Sequence, residues 1–302
     1  MKDQLIKKCV FPAAGYGTRF LPATKSMPKE MMPIVNKPLI EYGVDEAIDA
    51  GINGMCIVTG RGKNTLMDHF DKNYELEDQI KGTNKEAMLE DIRAIIDTAS
   101  FTYIRQREMK GLGHAILTSR ELVGDEPFAV VLADDLCINQ DKGVLAQMVE
   151  LYNQFRCSIV AVEEVPEEET HKYGVIAGEM IKDNIFRVDS MVEKPEQGTA
   201  PSNLAIIGRY ILTPDIFDII EETKPGKGGE IQITDALLTQ AQKGCVLAYK
   251  FKGQRFDCGS VEGFIQATNH CYQNVYLTSG GEDTKTEQLS SVTEEPTLTV
   301  AC

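Results

Sequence analysis

The run Phe128-Ala129-Val130-Val131-Leu132-Ala133 is apolar without a break and stops abruptly at Asp134-Asp135. Such a run belongs to a strand with no solvent face, packed inside a sheet between helices. Two carboxylates cannot enter that core unpaired, so the strand is expected to end where they begin. In open α/β sheets ligands gather beyond the carboxyl ends of the strands, which makes this end the first place to look for chemistry.

The flanking sequence repeats the theme: short apolar runs alternate with amphipathic stretches, as in a mostly parallel sheet covered by helices. Strands are expected at 8–12, 55–59 and 101–106, and helices at 39–50, 84–97 and 114–122. In the second of these helices Met88, Leu89, Ile92, Ile95 and Ile96 are expected to face inward. After a helix at 144–155 the character changes. Stretches 158–162, 173–177, 185–193 and 204–212 are strand-like with hairpin-length connections, predicting an antiparallel or mixed extension over about 157–225 that carries a second ligand's pocket. A helix at 234–242, a strand at 246–251 and a helix at 261–273 complete one α/β domain over 1–278. Residues 279–302 lack an apolar period and are rich in Ser, Thr and Glu, so they read as an acidic, disordered tail.

The formal charge is −15 and the pI about 4.8, the opposite of a nucleic-acid footprint. A phosphate-binding protein of this charge must gather Lys and Arg locally. Eight cysteines show no CxxC spacing, which excludes a zinc ribbon or a dithiol redox motif of that type. The beginning of the sequence has no long apolar stretch, and a cytoplasmic location without membrane contact is expected.

The cations gather in one place. Ala13, Ala14, Gly15 and Gly17 let backbone N–H groups approach a ligand closely, and Arg19, Lys25 and Lys29 follow at once. Guanidinium offers a flat fork to phosphate oxygens, and ammonium a mobile point charge. A glycine turn leading into a solvated basic loop is the plainer alternative for the Gly15-x-Gly17 pair taken alone. A dinucleotide fingerprint fits poorly, because its third glycine would fall at Phe20 and Pro22 and Pro28 oppose a long helix. The GxxxxGK[ST] phosphate loop is absent.

The string GYGTRFLPATKSMPKEMMPIVNKP resembles the signature of the sugar-nucleotide pyrophosphorylases, and most closely the bacterial UTP–glucose-1-phosphate uridylyltransferases. The similarity runs over roughly residues 5–275 through RQREMKGLGHA, VVLADDL, KYGVI, MVEKP, PSNLAIIGRYIL, GEIQITDAL and FDCGS. Asn36 departs from the family's VDKP, at a position with no implied role. The resemblance implies a Rossmann-like, three-layer nucleotidyltransferase fold with a mostly parallel mixed sheet. It implies UTP and glucose 1-phosphate as substrates, UDP-glucose and pyrophosphate as products, Mg²⁺ as cofactor, and a homodimer or homotetramer. A dTTP-dependent glucose-1-phosphate thymidylyltransferase and a non-catalytic sugar-nucleotide sensor are the alternatives.

The same resemblance implies residue roles. Arg19, Lys29 and Lys194 are catalytic: Arg19 on the outer phosphates, Lys29 at the phosphorus under attack, Lys194 on the sugar phosphate. Ala13, Ala14, Gly15, Gly17, Thr18, Glu30, Gln106 and Gly111 bind the nucleotide; Gly174 and Glu193, with Lys194, bind the sugar. Asp134 and Asp257 hold the metal, with Asp135 left undecided because adjacent residues point different ways. Each has a plainer reading: a helix cap for Asp134-Asp135, a turn residue for Asp257, a polar strand end for Gln106, and a surface ion pair for Glu193-Lys194. His114 is read as lying near the nucleotide with no catalytic duty. Truncation after about Ser279 is expected to leave thermal stability and turnover almost unchanged, as melting curves and initial rates on the shortened chain would show.

Overall fold

The computed structural model describes residues 5–276, so the expected tail at 279–302 lies outside the described residues. Along the chain run β1 (Lys8–Ala13), the short β2 (Pro33–Ile34) and β3 (Lys37–Pro38), α1 (Leu39–Asp49), β4 (Gly54–Thr59), α2 (Thr65–His69) and α3 (Tyr74–Ile80). Next come α4 (Glu90–Thr98), β5 (Ser100–Arg105), α5 (Gly111–Thr118), α6 (Arg120–Val123), β6 (Phe128–Val131) and β7 (Asp135–Ile138). The second half comprises α7 (Val144–Phe155), β8 (Ser158–Glu164), β9 (Gly174–Lys182), β10 (Ile185–Glu193), β11 (Leu204–Leu212), α8 (Ile216–Glu222), α9 (Ile233–Lys243), β12 (Val246–Lys250), β13 (Gln254–Asp257) and α10 (Val261–Cys271).

Nine strands form one sheet in the order β5-β4-β1-β6-β11-β8-β12-β10-β9. β5, β4, β1 and β6 are parallel. β11 then enters antiparallel to both β6 and β8, and β10 and β9 extend the sheet antiparallel beyond β12. Strand parity splits the apolar residues between two cores. Phe11, Ile57, Val131 and Ile159 pack with α1 and α7, and Val10, Val58, Val130 and Val160 with α5, α8 and α9. The fold is therefore three-layer α/β with a mixed sheet, as the alternation of apolar and amphipathic segments predicted.

The expected strand at 128–133 stops earlier, at Val131, and the chain turns through Leu132 to Asp134 and then starts β7 at Asp135. Asp135 does enter the interior, at 8% exposure, because it arrives with partners rather than alone. The expected helix at 84–97 begins only at Glu90. Of the five apolar residues assigned to its inner face, Ile95 is buried while Met88 is 74% exposed. This helix covers the outermost strand pair, where only part of its face meets the sheet. Helices α2, α3 and α8 were not foreseen, since seven residues or fewer carry too little periodicity to register.

All nine residues of β11 are buried, including Arg209 at 1% exposure. Its Nε and Nη2 donate to Glu46 Oε2 at 3.0 and 2.7 Å, and Glu46 Oε1 accepts from Leu145 N at 2.8 Å. One carboxylate thus ties α1 to the middle of the sheet and to the first turn of α7. Glu46→Ala should lower the unfolding free energy by about 3–5 kcal/mol, because it strands a buried guanidinium. Urea titration of Glu46→Met/Arg209→Met should show a smaller loss than Glu46→Ala alone.

Candidate active site

β7 and β13 pair antiparallel with Asp257 opposite Asp135, which sets Asp257 beside the turn that carries Asp134. A methyl group on Gly259 would lie 2.9 Å from Asp257 Oδ1, 3.1 Å from Asp134 Oδ2 and 3.3 Å from Arg19 Nη1. Two carboxylate oxygens and a guanidinium therefore surround one point that only glycine leaves open. Arg19 Nη1 also donates to Gly259 O at 3.3 Å. Lys29 Nζ donates to Asp134 Oδ2 at 2.5 Å. Burial opposes charge on both partners, but each overrides it for the other. The Asp134 carboxylate holds the Lys29 ammonium above its ordinary range, and Lys29 holds Asp134 below the usual carboxylate range.

Asp135 points the other way. Its Oδ1 accepts from Arg255 Nε at 2.6 Å, and its Oδ2 from Gly208 N at 2.6 Å. Arg255 continues to Glu163 Oε1 at 2.5 Å and lies over the Tyr173 ring. Both oxygens of Asp135 thus have partners inside the protein, and the residue braces its neighbour while still bordering the cavity that Asp134 and Asp257 line. Asp134 and Asp257 remain as a pair of hard oxygen donors. Among the described residues no third His, Cys, Asp or Glu joins them, a set suited to Mg²⁺, which keeps water and substrate phosphate as its other ligands.

A cavity of about 260 Å³ is lined by Arg19, Asp134 and Asp257 and also by Gly174, Glu193, Lys194 and Thr234. Adjacent strand residues normally face opposite sides. Here Lys194 takes φ 45°, a left-handed turn just after β10 that brings both Glu193 and Lys194 to the same cavity. Thr234 Oγ1 donates to Glu193 Oε2 at 2.6 Å, and the Lys194 ammonium lies 3.4 Å from Glu193 Oε1. Gly174 faces the same carboxylate, with a hypothetical Cβ 3.1 Å from Glu193 Oε2.

On the other side, β1 delivers Ala13 and Ala14, both buried, to an open Gly15; Gly17 turns the chain at φ 63° into a short helical turn begun by Thr18. Gln106 follows β5 and is 6% exposed. Its Nε2 donates to Gly111 O at 3.3 Å and to His114 Nδ1 at 2.9 Å. The amide hydrogens are thus spent internally, and the side-chain carbonyl is left to meet a ligand. Burial and the nearby Lys110 charge hold His114 below its ordinary range, which suits an accepting Nδ1.

Gly111 takes φ 90°, and a Cβ there would meet Glu230 Cβ at 2.8 Å. That closeness belongs to a clasp. Ile231 N donates to Lys110 O at 2.7 Å, and Gly113 N donates to Ile231 O at 2.9 Å. Glu230 and Gln232, on either side of Ile231, line the 260 Å³ cavity. A second cavity, of about 780 Å³, is bordered by Gln106, Tyr16, Arg61, Arg105 and Arg107. These three arginines have no ion-pair partner among the described residues, so part of the local positive charge that the acidic chain requires gathers here.

Glu30 is 1% exposed, and both its carboxylate oxygens accept from Lys63 Nζ, at 3.0 and 2.8 Å. The helical turn Lys29–Met31 sends Lys29 to Asp134 and Glu30 inward. Glu30 is therefore the buried counter-charge of Lys63, and it lines neither cavity. Lys63, which burial holds below its ordinary range despite Glu30, was not singled out from the sequence. Its only signal there was its place in the glycine-bearing segment after β4.

A family model described as nucleotidyl transferase matches residues 8–274. The chain is 74% identical over 275 residues to a UTP–glucose-1-phosphate uridylyltransferase of Pseudomonas aeruginosa, covering 91% of this chain and 99% of the relative. It is 50% identical over 263 residues to UTP–glucose-1-phosphate uridylyltransferase 1 of Staphylococcus saprophyticus, covering 87% and 91%. A solved structure of a UDP-glucose pyrophosphorylase complexed with UDP-glucose matches with a TM-score of 0.83 at 60% identity, covering 89% of this chain and 99% of that one. The similarity spans the sheet, both cavities and the carboxylate pair Asp134 and Asp257, and by it the chain belongs to the nucleotidyl transferase family, within its UTP–glucose-1-phosphate uridylyltransferase branch.

Proposed function

We propose that the protein transfers a uridylyl group from UTP to glucose 1-phosphate, giving UDP-glucose and pyrophosphate, with Mg²⁺ as cofactor. The observation that carries this reading is the meeting of Asp134, Asp257 and Arg19 around Gly259, in a cavity shared with Glu193 and Lys194. Asp134 and Asp257 would hold Mg²⁺, whose chemistry is to neutralise phosphate oxygens as two anions approach.

The remaining work falls to the chain itself. Arg19 and Lys29 bind the nucleotide phosphates, and Lys194 binds the sugar phosphate. Glu193, oriented by Thr234, accepts hydrogen bonds from sugar hydroxyls. The Gln106 carbonyl accepts the imide N–H of uracil, its orientation fixed by Gly111 and His114. A phosphate oxygen of glucose 1-phosphate then displaces pyrophosphate in line at the α-phosphorus. No general base is needed, since a phosphate monoester loses its second proton near pH 6 and is already a dianion at pH 7. Alignment and charge neutralisation supply the rate.

Arg61, Arg105 and Arg107 would draw an anionic nucleotide toward the cavity beside Gln106 against the repulsion of the chain's net charge. We extend the reading to one nucleotidyltransferase domain over 1–278, with the sugar-binding part at about 157–225, acting in the cytoplasm as a homodimer or homotetramer. Among the described residues no helix is long and apolar enough to cross a membrane.

Incubation with UTP, glucose 1-phosphate and Mg²⁺ should release pyrophosphate and form UDP-glucose. Turnover only with dTTP, or none at all, would reject the assignment. Asp134→Asn should keep the fold by circular dichroism yet lose most turnover at limiting Mg²⁺; near-parental rates there would remove Asp134 from the metal site. Lys194→Ala should raise KM for glucose 1-phosphate with UTP binding nearly intact, whereas Lys29→Ala should mainly lower kcat. Each loss should reach about 2–4 kcal/mol in transition-state stabilisation. Equal damage to both substrates by Lys194→Ala would make the 193–195 segment structural support only.

A further inference from the structure

We infer that Cys157 and Cys245 form a dithiol modification site, which a low-molecular-weight disulfide closes reversibly into an intramolecular disulfide. β8 and β12 are parallel neighbours whose first registered pair is Ser158 with Val246. The residues just before that pair are Cys157 and Cys245, neighbours at the entry to the two strands. Neighbouring strands lie about 4.8 Å apart, within the Cα separation of roughly 4.4–6.8 Å that a disulfide spans. The two thiols are within hydrogen-bonding reach of one another, and neither is bonded to another cysteine.

The surroundings make the pair selective. Cys245 is exposed and Cys157 half-buried, whereas Cys9, Cys56, Cys258 and Cys271 are buried. Cys137 is half-buried, and burial pushes its thiol far above the usual range. Reaction therefore starts at the thiol that an incoming reagent can reach. Each cysteine follows the end of a helix, α7 at Phe155 and α9 at Lys243, so the closing movement falls on connecting residues and not on the strand ladder.

The exchange balances without a cofactor. The Cys245 thiolate attacks one sulfur of the reagent RSSR; the S–S bond breaks, RS⁻ leaves, and a mixed disulfide forms at Cys245. Burial and the neighbouring Cys245 thiol push the Cys157 thiol up to about 12. Once Cys245 carries the mixed disulfide, the second of these causes is gone. Cys157 then gives its proton to solvent and attacks Cys245 Sγ, a second RS⁻ leaves, and the Cys157–Cys245 bond is made. Two thiol hydrogens and two electrons have passed to RSSR, which becomes two RSH; excess thiol reverses the exchange.

β8 runs in the same direction as β6, and β12 parallels β8, so the pair sits at the sheet edge opposite the candidate active site. The bond would fasten the far end of α9, whose first residues Ile233 and Thr234 line the sugar-side cavity.

The test treats the full chain with oxidised glutathione and follows intact mass, peptide mapping and melting. The expected product has lost the mass of two hydrogens, yields a cross-linked peptide joining residues 157 and 245, melts several degrees higher and reverts with dithiothreitol. Cys157→Ser should stop at a lasting mixed disulfide on Cys245, and Cys245→Ser should not react at this site; the rate of pyrophosphate release should match the parent in both reduced variants. A native chain that remains unreacted, or that halts as the mixed disulfide, overturns the proposal. So does a map that pairs Cys245 with Cys302 or any cysteine other than Cys157.

Discussion

The carboxylate of Asp135 joins two sheets that have no ladder in common. One oxygen takes the amide of Gly208 in the large sheet, and the other takes Arg255 in the small one. The bond from Asp135 to Gly208, together with that from Arg255 to Glu163 on β8, ties β7 and β13 to the large sheet, and the placement of Asp257 beside the Asp134 turn follows from that position. Removing an ionised group from water is costly, so the arrangement holds only because every lone-pair direction that matters finds a donor. The charge is spent on placement. Its neighbour Asp134 is thereby left at the turn, facing the cavity it shares with Arg19 and Asp257.

The same division of duties recurs in the glycine-rich segment. Lys29 and Glu30 are adjacent, yet one reaches Asp134 and the other is sealed against Lys63. The inner pair anchors the turn, and the outer residue keeps a cation beside the carboxylate that would otherwise stand alone. Lys29 and Asp134 each stabilise the charged form of the other. The site is accordingly charged and oriented before a substrate arrives, which is the condition for electrostatic catalysis with little reorganisation.

The layers of the fold were legible because buried strands and amphipathic helices leave periodic traces; β10 and β11 match the sequence-based bounds residue for residue. Arg19, Lys29, Asp134, Glu193, Lys194 and Asp257 could be named in advance because the family resemblance singles out their motifs, and the structure brings five of them to one cavity with Lys29 bonded to Asp134. What stayed hidden were long-range pairings. Nothing local to Arg209 says that Glu46 will neutralise it, and nothing in Asp134-Asp135 says that the second carboxylate re-enters a sheet. The inward turn of Glu30 to Lys63 is another such pairing, since membership of a motif does not say which way a side chain turns.

The backbone clasp between 110–113 and 231 has a consequence for how this protein can change. The loop proposed to border the base and the segment proposed to floor the sugar cavity are consecutive rungs of one hydrogen-bonded unit, held at 2.7 and 2.9 Å with Gly111 pressed against Glu230. A bulkier residue on either side displaces the other, so selectivity for the nucleotide and selectivity for the sugar are not separately adjustable. Drift toward a new base must carry the sugar pocket with it, and a redesign confined to one pocket perturbs both.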